Sequence, residues 1–426
     1  MTLAVVVVLA ACAPIPGATD ATPSSESTVA GAAAATSTSS STESIAPAES
    51  AVAASATADP TEQPAAFPTA AFAAISEEPV TEEVAAQFQA ALEDLAARDE
   101  FGEKGGLTAT VMTADGTWSG VVGTADGARD LRVDDQFAIA SITKSVIAAQ
   151  VMAMVEAGEM GLDDLAVDHL PPGLEFDTNG ATIRHLLSHR SGIPDDYEEL
   201  HVTLRSDPTR VWTPADVLKQ IPTRRGVAGR SFEYSGTNYL LLGLVIEHES
   251  GRPAVEVLRA GALAVDGIER LVFQPDEKPT MPMAMPNGQS TAVLELTGGY
   301  LPSLAAASAF REAGGVASDS PSLARWWRAL CAGEIVSQAT LTEMSAFDRD
   351  VPVFDGGYGL GLFNPAYGDA NGVGHGGELF GYMSWAACLP DEGAVIVVLS
   401  NRVVDSITIG LLFGTLGPFL DGLGSR

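Results

Sequence analysis

Ser141 and Lys144 stand three residues apart, so on a helix they lie one turn from each other along one face. A serine hydroxyl is a weak nucleophile until a neighbouring base takes its proton. A lysine amine can be that base only if burial or a nearby cation lowers its pKa. The run from Ser145 to Val155 carries no charge, which predicts a helix buried on all sides. Ser141 would sit at the positive end of its dipole, with Lys144 rooted in a water-poor interior. Lysine is scarce, the others being Lys104, Lys219 and Lys278. The Ser-x-x-Lys pattern is short, and the competing reading is structural: Ser141 caps the helix and Lys144 reaches solvent.

Two further stretches place chemistry-bearing residues beside glycine. Tyr234 lies in Phe232-Glu233-Tyr234-Ser235-Gly236-Thr237-Asn238-Tyr239, ahead of a predicted helix. A loop tyrosine relays a proton if a nearby ammonium stabilises its phenolate. His375 lies in Gly374-His375-Gly376-Gly377-Glu378, read as a loop ahead of a strand, where glycine would let a substrate approach backbone donors. His185 and His189, ahead of Ile193-Pro194, read as part of a structural turn. There is no H-E-x-x-H and no paired-cysteine motif, so neither a metal nor a cofactor is expected.

Stepping outward from these residues, the chain must supply elements to hold them. Its 426 residues suffice for one large domain or two ordinary ones. A net charge of −32 argues against nucleic acid and against a polybasic membrane patch, leaving a small molecule or peptide as the expected partner of a monomer. Three cysteines, Cys12, Cys331 and Cys388, are too few for a disulfide framework. Cys331 and Cys388 fall in apolar runs and read as small buried hydrophobes, the alternative being a bridge in an oxidising compartment.

Residues 1–12 read as an export signal: an apolar run ending Leu9-Ala10-Ala11-Cys12, which resembles a bacterial lipobox with Cys12 as the lipidated residue. No Lys or Arg precedes it, which implies an upstream start or an atypical signal. Residues 13–78 are rich in Ala, Ser, Thr and Pro and predict a disordered tether. The expected location is the cell envelope, anchored by lipid to the outer face of a membrane, or secreted.

Residues 79–426 read as one globular domain with two lobes. Thr81-Glu82-Glu83 starts a helix with Val84, Phe88, Ala91, Leu92 and Leu95 on one face. Leu107–Ala114 and Thr117–Gly123 form a hairpin around Asp115-Gly116. The middle is helical, including a helix from Asn238 through His248 closed by Gly251. Strands return at Gly357–Leu362, Gly381–Leu389 and Ala394–Leu399, followed by a helical stretch over Val404–Leu420. Strands at both ends around a helical middle imply an α/β (α+β) fold: one antiparallel sheet flanked by helices, with an inserted all-helical lobe.

Phe137 to Lys144, Leu186 to Gly192, Tyr234 to Leu242, Gly314-Gly315-Val316, Tyr358 to Leu362 and Gly374 to Tyr382 fall in the order and spacing of one family. In these motifs the chain resembles the serine β-lactamase and D-alanyl-D-alanine carboxypeptidase superfamily, in particular the branch holding class C β-lactamases and related carboxypeptidases and esterases. The resemblance implies a β-lactamase/transpeptidase-like fold and an acyl-serine hydrolase. It implies Ser141 as nucleophile, Lys144 as its proton partner and Tyr234 as general base or leaving-group acid. It assigns His375 to keeping the site positive and the tyrosine acidic, and the backbone N–H groups of Ser141 and Glu378 to the oxyanion hole. Gly236, Gly377 and Phe363 would fall in the substrate-binding region.

Three departures bear on substrate. Gly236 replaces the usual asparagine, Phe363 stands where carboxypeptidase relatives tend to carry a basic residue, and Glu378 stands where they tend to carry a hydroxyl. The last two positions help receive a free carboxylate, which an apolar group and an anion do poorly. Neutral or cationic esters or amides are therefore the expected substrates. The alternatives are a D-alanyl-D-alanine carboxypeptidase or β-lactamase whose substrate carboxylate is held by an arginine such as Arg402, and a catalytically silent cell-wall ligand-binding protein. An α/β-hydrolase is disfavoured because no G-x-S-x-G elbow is present.

Overall fold

The computed structural model describes residues 65–97, 105–195, 198–286, 298–351, 356–364 and 372–402. Cys12, most of the expected tether and the expected helical stretch over Val404–Leu420 lie outside the described residues.

The described strands are β1 (Gly106–Thr113), β2 (Gly116–Gly123), β3 (Phe137–Ala138), β4 (Val272–Phe273), β5 (Val316–Ser318), β6 (Val373–Leu379), β7 (Tyr382–Leu389) and β8 (Ala394–Ser400). The helices are α1 (Thr69–Ala73), α2 (Glu82–Ala96), α3 (Thr143–Glu156), α4 (Ile183–Leu187), α5 (Glu198–Ser206), α6 (Pro214–Leu218), α7 (Gly236–Ser250), α8 (Ala254–Ala260), α9 (Leu304–Gly314), α10 (Ser320–Cys331) and α11 (Gln338–Met344).

β8 is apolar along nearly its whole length, so it has no face that tolerates water and must lie inside a sheet covered on both sides. Its side chains divide by the two-residue period of a strand. Val395, Val397 and Leu399 join the cluster containing Trp327, Leu330 and Cys331 of α10. Ala394, Ile396 and Val398 join Phe88, Leu92 and Leu95 of α2. The sheet is antiparallel in the order β2-β1-β8-β7-β6, which pairs the first hairpin with the last strands and makes β6 an edge. A smaller sheet, β3-β5-β4, joins the start of the helical region to its end.

Local signals explain most element ends. Thr81 caps α2 by accepting from the Val84 N–H, and Asp319 caps α10 ahead of Pro321. Gly251 closes α7 in the left-handed conformation that glycine adopts without a Cβ clash. Hydroxyls of Thr108 and Thr110 on β1 each lie 2.9 Å from the Ser320 hydroxyl, which fastens the start of α10 to the sheet.

Several expectations need correction. The folded part begins by residue 67, because Phe67, Phe72 and Ile75 are buried in the core rather than belonging to a tether that ends at residue 78. Gly357–Leu362 is not a strand: only Tyr358 makes isolated bridges there, to Asp348 and Phe363. The His375 motif is itself strand β6 rather than a loop before one. Cys331 and Cys388 are not separate hydrophobes but a disulfide joining the end of α10 to β7.

Candidate active site

α3 is buried along nearly its whole length, as its uncharged run from Ser145 to Val155 requires. Ser141 lies just ahead of it, in a 3-10 turn over Ala140–Ile142. Ala140 has φ of 48°, a left-handed conformation uncommon for a residue with a Cβ, and the reversal sets Ser141 at the head of the helix. Two hydroxyls lock that head: Thr143 Oγ1 accepts from the Val316 N–H at 3.1 Å, and Ser145 Oγ donates to the Gly361 carbonyl at 2.9 Å. Gly361 has to be glycine, because a Cβ there would lie 2.2 Å from that of Ala148 on α3, and its φ is +74°.

Lys144 is 3% exposed, and its Nζ lies 3.1 Å from Ser141 Oγ and donates to the Ala313 carbonyl at 2.7 Å. Burial lowers its pKa to about 8, opposed in part by the negative charge of Asp195. The structure thus brings the two residues together as hydrogen-bonded neighbours, against the reading in which Lys144 reaches solvent. Rings stand close to the amine, with Tyr234 at 5.0 Å and Tyr239 at 5.7 Å from centroid to Nζ.

Tyr234 precedes α7, with its ring beside the Lys144 amine and its hydroxyl toward Ser141, whose interaction with it favours the phenolate. Burial pushes its pKa well above the usual phenol value, which overcomes the opposing effect of Ser141. Tyr234 is therefore a protonated phenol. Gly236 is the buried first residue of α7; beside it Ser235 Oγ and Asn238 Nδ2 are buried without a hydrogen-bond partner among the described residues.

β6 forms the other wall. The Phe380-Gly381 turn has positive φ at both residues, 44° and 101°, and closes a two-residue hairpin onto β7. Gly374 exchanges both backbone hydrogen bonds with Phe363, each 3.0 Å, on the side away from β7. The alternation of an antiparallel strand then directs the N–H of Glu378, four residues on, to that same outer edge. A Cβ on Gly377 would lie 2.8 Å from the Ser141 nitrogen, so β6 runs in backbone contact with the Ser141 turn, which only glycine permits. Ser384 of β7 donates to the Ile139 carbonyl at 2.7 Å and fixes that turn against the sheet.

His375 is buried, and its pKa falls to about 3 through burial and the nearby Lys144 charge. It is neutral, which corrects the expectation that it keeps the site positive and the tyrosine acidic. Phe363 is also corrected: it is 2% exposed, with its ring 5.1 Å from His375 and 5.5 Å from Trp385, beneath the site rather than facing a substrate. Glu378 is partly buried, and burial raises its pKa to about 7. Arg402 follows the end of β8 and packs against Gly105, just ahead of β1; Ser400 pairs with Met383 of β7, which pairs with Glu378, so β7 alone lies between the strand that Arg402 extends and β6.

Two residues of the motifs named above, His189 and Tyr358, also stand at the site, which corrects the reading of His189 as part of a structural turn alone. His189 is fully buried with its ring 4.1 Å from that of Tyr234, and Tyr358 bridges His189 and His375 at 3.2 Å to each. Their partners are remote in sequence, so the motifs that contain them do not show the pairing. His185, by contrast, caps the start of α4 with Thr182, as a structural turn would. Among the described residues no group of His, Cys, Asp or Glu is arranged to hold a metal ion.

Comparison with known proteins agrees with this geometry. The chain is 31% identical over 173 residues to penicillin-binding protein 4 of Amycolatopsis lactamdurans, covering 39% of this chain and 43% of that protein. It is 28% identical over 171 residues to a D-aminopeptidase of Brucella anthropi, covering 39% and 32%. The aligned parts thus span less than half the length of these curated relatives. Among solved structures, a D-stereospecific amidohydrolase from Streptomyces superposes with a TM-score of 0.64 at 26% identity, covering 76% of this chain and 97% of that one. A D-amino acid amidase from Ochrobactrum anthropi shares the fold, with a TM-score of 0.66 at 23% identity, covering 81% and 99%. Residues 88–407 match the β-lactamase family, most of the chain, and with a hydrogen-bonded serine and buried lysine at its site this chain belongs to that family of serine hydrolases.

Proposed function

We propose that this protein is an extracytoplasmic hydrolase that cleaves neutral or cationic amides and esters through an acyl-Ser141 intermediate. The observation that carries the reading is the Ser141–Lys144 pair, a hydroxyl 3.1 Å from an amine whose burial lets it be neutral near pH 8. The neutral amine donates one N–H to the Ala313 carbonyl and takes the Ser141 proton as the serine oxygen attacks the substrate carbonyl. The developing oxyanion is received by the N–H groups of Ser141 and Glu378. Collapse breaks the bond to the leaving group, which takes a proton from Tyr234, and the Lys144 ammonium restores that proton. Water, deprotonated by Lys144, then attacks the acyl carbon, and as the bond to Oγ breaks the Lys144 ammonium returns that proton to Ser141, releasing the acid. Because His375 is neutral and Tyr234 stays protonated, the base is Lys144 and the acid is Tyr234.

Glu378 at the edge of β6 supports the substrate class. Its carboxylate repels a substrate carboxylate and favours an ammonium. Relatives named for D-aminopeptidase and D-amino acid amidase activity support an amide as the scissile group. The buried Cys331–Cys388 disulfide supports an oxidising compartment, in keeping with export by the Cys12 segment. The test is a panel of p-nitrophenyl esters and amino-acid amides with wild type and Ser141→Ala, plus mass spectrometry of the trapped acyl-enzyme. Turnover lost in Ser141→Ala and an adduct on Ser141 are expected. An adduct elsewhere, efficient hydrolysis of a D-Ala-D-Ala peptide, or rapid labelling by a fluorescent penicillin overturns the reading.

A further inference from the structure

Beneath the Ser141–Lys144–Tyr234 cluster runs a chain of hydrogen bonds whose direction can be read from its ends. The Ser235 N–H donates to His189 Nδ1 at 3.0 Å, so that nitrogen is an acceptor and the proton of the neutral ring is on Nε2. His189 Nε2–H then donates to the Tyr358 hydroxyl at 3.2 Å. At the other end His375 Nδ1 lies 2.6 Å from the Gly376 carbonyl, which can only accept, so the His375 proton is on Nδ1. The Tyr358 hydroxyl therefore donates to His375 Nε2, at 3.2 Å. Each member satisfies the next, and none of them is exposed.

The two ends of this chain touch the catalytic machinery. Ser235 follows Tyr234 directly, and the His189 ring lies 4.1 Å from the Tyr234 ring at an interplanar angle of 32°. His189 thus holds both the backbone after Tyr234 and the face of its ring. At the other end, Gly376 and His375 lie on β6, beside Gly377 and the oxyanion-hole edge. We propose that His189 and Tyr358 are positioning residues that fix the Tyr234 hydroxyl on Ser141 and hold β6 in register through a neutral, Nε2-accepting His375. Tyr358 joins the two walls in this chain of bonds, and it is placed by the Tyr358–Asp348 and Tyr358–Phe363 bridges on either side of it.

The charged and titratable groups facing the two imidazoles are Lys144, Tyr234, Tyr239 and Tyr358. Lys144 and burial both disfavour an imidazolium at either position. Removing the Tyr358 hydroxyl takes away a donor to the neutral form of His375, which shifts that ring toward protonation.

This proposal rests on the acyl-serine reading, and its test separates the two. Tyr358→Phe keeps the ring and removes only the hydroxyl. A fall in kcat of roughly ten- to hundredfold with KM nearly unchanged is expected, together with a displaced acid limb in the pH profile. His189→Asn, which can still accept from the Ser235 N–H, should retain more activity than His189→Leu. Loss of thermal stability alone, with kcat and the pH profile intact, overturns the positioning role. Wild-type protein labelled with 15N-histidine provides a readout that needs neither activity nor a variant. Between pH 6 and 8 two non-titrating imidazoles of opposite tautomer are expected, Nε2–H for His189 and Nδ1–H for His375. The reverse tautomers, or an imidazolium at either residue, overturn it. Ser141→Ala retaining full turnover would instead defeat the acyl-serine reading while leaving the tautomer measurement standing.

Discussion

The two walls of the cleft differ in what they carry. The helical wall, from the head of α3 and the start of α7, presents a serine hydroxyl, a buried amine and a protonated phenol. The strand wall, β6, presents backbone donors, a neutral imidazole and an acidic side chain. Under the proposed mechanism, bond making and breaking is confined to the first wall, while charge preference is set on the second. One site can therefore keep its chemistry and change its substrate by altering an edge strand alone.

The sharpest way to break that division is Ser141→Ala, for which a loss of at least about 10³-fold in kcat is expected from ester-hydrolysis assays. Lys144→Met should cost roughly 10²- to 10⁴-fold, and Lys144→Arg should not rescue it, since a guanidinium does not give up its proton. The pH profile carries the same information. The amine works only when neutral, so the rate should rise as pH increases through about 8 and be lost below it. A rate independent of pH between 6 and 9 would remove Lys144 from the base role.

The strand wall predicts changes in selectivity rather than in chemistry. Glu378→Thr should improve hydrolysis of carboxylate-bearing substrates relative to neutral ones by roughly ten- to hundredfold, with neutral esters little affected. In the unaltered protein the KM for cationic amides should fall as pH rises through about 7, where Glu378 ionises. Equal effects on neutral and charged substrates would contradict the division. The smallest expected effect on turnover comes from Cys331→Ala with Cys388→Ala. Losing a link that spans 57 residues should lower stability by about 4 kcal/mol in denaturant titrations while kcat at moderate temperature is kept.

The helical wall was the more legible of the two in the sequence. Uncharged residues after Lys144 announce a buried helix, and Thr81, Pro321 and Gly251 mark helix ends by chemistry that acts within a turn. The strand wall was misread because His-Gly-Gly lacks the β-branched residues that signal a strand, and β6 is held by pairing to β7 rather than by propensity. Gly357–Leu362 failed in the opposite sense: alternating glycine and aliphatic residues imitate a strand, yet the loop is shaped by contacts with α3 and Leu187. Phe67, Phe72 and Ile75 were lost among alanines and prolines whose composition resembles a tether. His189 and Tyr358 are 169 residues apart, and that pairing exists only once the fold is formed.

The outer edge of β6 also has a consequence for what can be timed in solution. Gly374 is closed off by its double hydrogen bond to Phe363, whereas Glu378 turns its N–H outward at a position that β7 does not cover. Neighbouring amides of one short strand should therefore exchange with deuterium at very different rates, slowly at Gly374 and fast at Glu378. An acyl group bound to Ser141 would occupy the Glu378 amide, so the lifetime of the intermediate becomes readable as protection at a single backbone proton.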